Sequence, residues 1–386
     1  MTRLLMATLA AACLSACSSL PSVNPFDWFR GTQSGPKPAE LPALSNPQAV
    51  RVMWSAGIGA ADAFVFSPSL SGDSVFAAAR DGTVARLDAV SGQAHWRIAV
   101  GKRISGGVGT DGRLAVVAAD DGEVFALDAQ SGKVQWRARV SSEVLAAPKL
   151  GEGLVLVRSA DSRVFAFGAE DGKRRWVYQR AAAALIVRSP VGLTVHQGSA
   201  YAGFSGGKLV AIGLANGAAR WEATVALPKG ATELERVTDI VGDPASLGRE
   251  ICAAAYQGRV ACYDAQTGNQ LWARDLSTLT GVSFDARYAF VSDDRGAVHA
   301  LDRSSGRSIW KQDRLAHRRL SLPLPLGTEV ALGDLQGYVH FLARESGAFV
   351  ARFATDGSAI RAAPLKLPDG FLVQTQNGGL YALNLK

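Results

Sequence analysis

A short pattern that opens on glycine and closes on tryptophan returns along most of the chain, and it limits the possible fold more than any other feature. Its plainest copy is GEVFALDAQSGKVQW at 122–136. Close copies stand at 82–96 (GTVARLDAVSGQAHW), 258–272 (GRVACYDAQTGNQLW) and 296–310 (GAVHALDRSSGRSIW), with weaker ones at 162–176 and 207–221. A further copy at 337–351 ends in Ala351, and a last one begins at Gly379 and runs into the C-terminus. Within the plainest copy, Val124–Leu127 reads as a strand, the Ser131-Gly132 region as a turn, and the residues up to Trp136 as another strand. Upstream, Ala115–Ala119 forms a strand joined through Asp120-Asp121-Gly122, a hairpin in which glycine takes positive φ. One more strand opens each unit, and no long apolar stripe of helical period is present.

Four short strands repeating at roughly 40 residues are the signature of propeller blades. Trp54, Trp96, Trp136, Trp176, Trp221, Trp272 and Trp310 mark the blade ends. Trp54 lacks a glycine-rich half before it, and the C-terminal copy lacks a tryptophan. Joined, they complete one blade, with Arg51–Trp54 beside Leu380–Leu385. That pairing closes the ring and removes two open sheet edges. The expected fold is therefore an all-β, eight-bladed β-propeller over 50–386, built of four-stranded antiparallel blades.

What precedes the ring has a different character. Arg3 leads into an apolar run, Leu4–Leu14, that is too short to span a bilayer and reads as a secretory signal. It ends in Leu14-Ser15-Ala16-Cys17, which resembles the bacterial lipobox, making 1–16 a lipoprotein signal peptide and Cys17 the lipid-modified N-terminus. Several acyl chains on one cysteine anchor firmly where a single chain does not. Ser18 follows, in place of the aspartate associated with inner-membrane retention, so the expected location is the outer membrane, lipid-anchored and facing the periplasm. Residues 17–49 read as a flexible tether punctuated by Pro21, Pro25, Pro36, Pro38, Pro42 and Pro47, with one aromatic cluster at Phe26, Trp28 and Phe29. The formal charge of +7 is spread along the chain without a Lys/Arg block, which describes a solvated basic surface and no nucleic-acid partner.

The sequence offers no catalytic constellation. The five histidines (95, 196, 299, 317 and 340) show no metal-ligand spacing, and His299 and His340 occupy equivalent blade positions that suit packing. The repeated tryptophans are expected to pack blade on blade, and Asp88, Asp128, Asp264 and Asp302 to cap their turns. No cofactor or metal is expected. Cys252 and Cys262 face each other across the hairpin at Tyr256-Gln257-Gly258, close enough for a disulfide, although two free thiols satisfy the sequence equally. Two stretches break the repeat: Arg180–Arg188, and the long interval containing Leu227–Pro244. Insertions in repeat folds map to surface loops, where function concentrates.

With lipobox, tether, tryptophan-ended repeats and these two stretches together, the chain resembles the BamB family of outer-membrane β-barrel assembly lipoproteins. The resemblance implies a non-enzymatic scaffold. It would bind the periplasmic POTRA domains of a BamA-like barrel protein, join other assembly-machinery subunits, and help outer-membrane barrels fold and insert, with unfolded outer-membrane proteins as a further candidate partner. The family's Leu-x-Leu-Arg segment matches Leu185, Val187 and Arg188, with Val187 a departure from leucine. Its Ser-Asp-x-Asp segment matches at Thr238-Asp239, but Val241 replaces the second aspartate and Asp243 stands nearby. Similar repeats occur in quinone-cofactor (PQQ-type) dehydrogenases, the competing reading; the adjacent cysteines of that class are missing here. A generic peptide- or polysaccharide-binding periplasmic propeller is the third.

Overall fold

The computed structural model describes residues 36–181 and 185–385. The signal peptide over 1–16, Cys17 and the Phe26, Trp28 and Phe29 cluster lie outside the described residues.

Eight sheets of four antiparallel strands are arranged blade after blade. Blade 1 comprises Ser69–Ser71, Ser74–Ala78, Thr83–Asp88 and Ala94–Ala99. Blades 2 to 6 follow in order and end in the strands carrying Trp136, Trp176, Trp221, Trp272 and Trp310; blade 7 ends in Phe349–Ala354. Blade 8 takes three strands from the C-terminus, Leu365–Lys366, Phe371–Gln374 and Gly379–Leu385, and its fourth from the N-terminal Val50–Gly57. Val50 pairs with Leu385 and Gly57 with Gly379, so the ring closes as the repeat predicts.

The blades hold together through apolar faces that no single blade could bury alone. Val116, Val124 and Trp136 of blade 2 pack against Val155, Val157 and Phe167 of blade 3, all buried. Each repeat tryptophan then reaches forward. The ring of Trp136 lies against Gly172 of blade 3, where an added Cβ would stand 2.6 Å from the indole, and Gly172 has φ +64°. Its Nε1 donates to the carbonyl of Ala169 at 2.8 Å. The same donation recurs from Trp54 to Ala89 and from Trp310 to Arg344. The turn aspartates cap as expected: Asp128 Oδ1 accepts from the Ser131 N–H at 2.7 Å, and Asp302 Oδ1 from the Ser305 N–H at 2.9 Å.

Two expectations need correction. His299 and His340 do more than pack, because each Nε2 lies 2.8 Å from the aspartate of its own blade's turn, Asp293 or Asp334. The tether also ends earlier than residue 49. Ala39 donates its N–H to Ala316 at 2.9 Å, and Gln48 does so to Val350 at 3.0 Å. Arg318 donates to the carbonyl of Ala39 and Arg352 to that of Pro42. Leu41 packs on the core between blades 6 and 7. Proline-rich backbone keeps its carbonyls free, and here arginines supply the donors. Residues 39–48 are thus a strap laid on the ring.

Candidate functional site

In an antiparallel blade, the turn between the second and third strands lies on the same face as the connection to the next blade. Both stretches that break the repeat are such connections: 180–192 joins blade 3 to blade 4, and 225–239 joins blade 4 to blade 5. They meet through Asp239. Its Oδ2 accepts the Val187 N–H at 2.7 Å, and its Oδ1 accepts the Gly206 N–H, from the blade 4 turn, at 3.3 Å. A backbone bridge from Ser205 to Asp239 fixes the same corner.

Leu185 and Ile186 stand exposed, at 43% and 41%, and Val187 is half-buried. On the neighbouring connection Leu227 and Leu234 are exposed at 64% and 71%. Leu234 sits on a small turn capped from within, since Glu235 Oε2 accepts the N–H groups of Ala231 and Thr232. Four large apolar side chains displayed on adjacent connections are an unusual concentration for a solvated face. Arg188 is exposed beside them. Its Nη2 donates to Glu143 Oε2 at 2.7 Å, and its guanidinium lies 5.3 Å from the centre of the Phe64 ring.

The acidic residues implied by the family resemblance are placed differently from a contact surface. Asp239 is 5% exposed, and burial pushes its carboxyl above the ordinary range against the pull of the two N–H donors and Arg158. Val241 is buried, and Asp243 pairs with Lys149 at 2.6 Å. Asp239 therefore holds the segment from below, and of the residues matched to the family's two segments Arg188 is the exposed charge. Cys252 and Cys262 belong elsewhere, in the buried layer between blades 5 and 6. They pair in register with Cα atoms 4.0 Å apart and their sulfurs joined in a disulfide.

Residues that sequence reading passed over include Glu143, Phe64 and Arg158. Glu143 and Phe64 come from connections distant in the chain and carry no local signal. Arg158 does carry one, because the aligned position in most other blades is small. Burial lowers its guanidinium to about 10, with Asp239 and Asp243 opposing the shift. Among the described residues no three metal-ligating side chains converge.

Fold and face together define a tryptophan-docked, eight-bladed β-propeller with an apolar patch on two of its interblade connections. The chain belongs to the BamB family: the profile of the family described as Outer membrane protein assembly factor BamB matches residues 51–312. The assembly factor BamB of Bordetella pertussis is 44% identical over 345 residues, covering 89% of each chain. The crystal structure of BamB from Moraxella catarrhalis superposes with a TM-score of 0.80 at 26% identity, covering 87% of this chain and all of that one. A quinohemoprotein alcohol dehydrogenase from Comamonas testosteroni superposes at 0.68 with 13% identity, covering 87% of this chain and 76% of its own, a likeness of fold alone.

Proposed function

We propose that the protein is a non-enzymatic scaffold of the outer-membrane β-barrel assembly machinery. It is held to the membrane by lipid on Cys17 and docks the periplasmic POTRA domains of a BamA-like partner through Leu185, Ile186, Leu227, Leu234 and Arg188. Through that partner it joins the other subunits and assists folding and insertion of outer-membrane proteins. The observation that carries this reading is the display of four leucine or isoleucine side chains on two connections tied together by one buried aspartate. An exposed apolar patch marks an interaction surface, and arginine is among the residues enriched at interface hot spots.

Affinity capture from detergent-solubilised outer membranes tests it. The wild type is expected to recover a BamA-like barrel protein, and Arg188→Glu to recover much less, a loss of about 2 kcal/mol or more for a hot-spot arginine. The variant should keep its fold, because an exposed ion pair such as Arg188–Glu143 contributes only about 0–1 kcal/mol. Recovery of no barrel protein by the wild type refutes the reading, and unchanged recovery by the variant removes Arg188 from the site.

A further inference from the structure

The second strand of each blade has a residue, four before the turn, that looks toward the chain entering the next blade. Six blades keep it small, as Ala78, Ala118, Gly203, Ala254, Ser292 and Gly333. Space is the reason where glycine stands there. A Cβ on Gly203 would lie 2.2 Å from Ile240, and one on Gly333 would lie 2.3 Å from Ile360. Blade 8 departs with Gln374, whose Nε2 crosses into blade 1 and donates to the carbonyl of Ala78 at 3.1 Å. Blade 3 departs with Arg158, which sits in the same register opposite Val164.

Arg158 reaches under the connection that carries Leu185–Arg188. Its Nη1 donates to the carbonyl of Val191 at 3.1 Å, and its guanidinium lies 5.5 Å from the centre of the Phe204 ring. Asp239 meanwhile holds the N–H of Val187. The stretch 187–191 is thus gripped at both ends, at one by a buried carboxylate and at the other by a guanidinium. Neither group belongs to the segment, and Asp239 is closed off from solvent. Around the same corner the Arg158 Nε, the Ser189 hydroxyl and the Thr238 hydroxyl are buried without partners, so the segment has few other polar ties to hold it.

We infer that Arg158 is a positioning residue, which clamps 187–191 together with Asp239 and presents Leu185 to Arg188 without itself touching the partner. The inference rests on the docking reading for what the segment is presented to. The clamp itself can be measured in the isolated protein. Hydrogen exchange of peptides spanning 187–191 reports local opening directly. Losing a charge-assisted hydrogen bond is expected to speed exchange there by about ten-fold or more in Arg158→Met, whose apolar stem still covers Phe204. Arg158→Lys, which keeps a donor and the charge, is expected to recover most of the protection. Asp239→Asn, which leaves Arg158 in place, is expected to open the Val187 end. Exchange in blades 6 and 7 should stay at wild-type rates in all three and serves as the control for folding.

Capture of isolated POTRA domains is the second readout, and it should fall in step with loss of protection. Wild-type exchange at 187–191 in both Arg158→Met and Asp239→Asn overturns the clamp. Lost capture with unchanged exchange also overturns it, since Arg158 would then be a contact. Failure of the wild type to capture POTRA domains refutes the docking reading, and the exchange measurement still decides the clamp.

Discussion

At residue 351 the repeat carries alanine where all seven earlier copies of that strand position carry tryptophan. Each indole lies on the glycine of the next blade's turn between third and fourth strands, as Trp310 does on Gly347. Blade 8 has no such turn, because its third and fourth strands are the two ends of the chain. A tryptophan at 351 would have nothing to cover, and Ala351 is fully buried beside Phe341 and Phe371. Two opposite substitutions are expected to have the same outcome. Trp136→Ala should lower unfolding free energy by about 3–5 kcal/mol through lost burial and a residual cavity. Ala351→Trp, which restores the repeat, should also destabilise, by about 1–3 kcal/mol through overpacking. Urea denaturation measures both, and a stabilised Ala351→Trp would refute the account. The lapse was legible in the sequence; its cause was not, since it depends on which turn is absent across the blade boundary.

At the scale of elements, the strap shows composition misread for want of partners. Residues 39–48 look like more of the leash, yet Arg318 and Arg352 hold their carbonyls. Arg318 also donates through Nε to Asp334 at 2.7 Å, and the two side chains are 2% and 0% exposed. Breaking such a buried pair from one side costs about 3–5 kcal/mol. Arg318→Ala is therefore expected to lose that much stability and to open the chain near Ala39 to protease, with the cleavage site read by mass spectrometry. His340 adds a pH dependence of known sign. Burial lowers its pKa below the ordinary 6.5, so its contribution is present above that value and declines as pH falls through the lowered one. A melting temperature flat across that window would exclude His340 as the titrating group. The interrupting connections, by contrast, were legible as elements because they break the period. Their internal logic was not, since Asp239 and Val187 are far apart in the chain and only folding brings them within hydrogen-bond distance.

For the whole molecule, closure is the decisive event. The strand Val50–Gly57 covers Leu380 and Ala382, which are fully buried, and occupies the free edge of Gly379–Leu385. A chain beginning at Ile58 should therefore expose that edge and associate or unfold, whereas one beginning at Pro38 should remain monomeric and folded. Size-exclusion chromatography with thermal unfolding separates the two, and equal behaviour would mean the ring is stable open. Sequence alone determined the ring, its blade count and its closure, because a repeat repeats its local physics: the same turn chemistry and the same apolar alternation recur and must stack. It also pointed to the connections at 185–188 and 227–239, as departures from that repetition. Only the tertiary structure decided what those departures do. Whether Asp239 faces a partner or the interior, and whether Arg158 is a stray charge or a clamp, depends on which blades lie side by side. Burial and hydrogen bonding between blades are properties of the assembled ring that no single repeat contains.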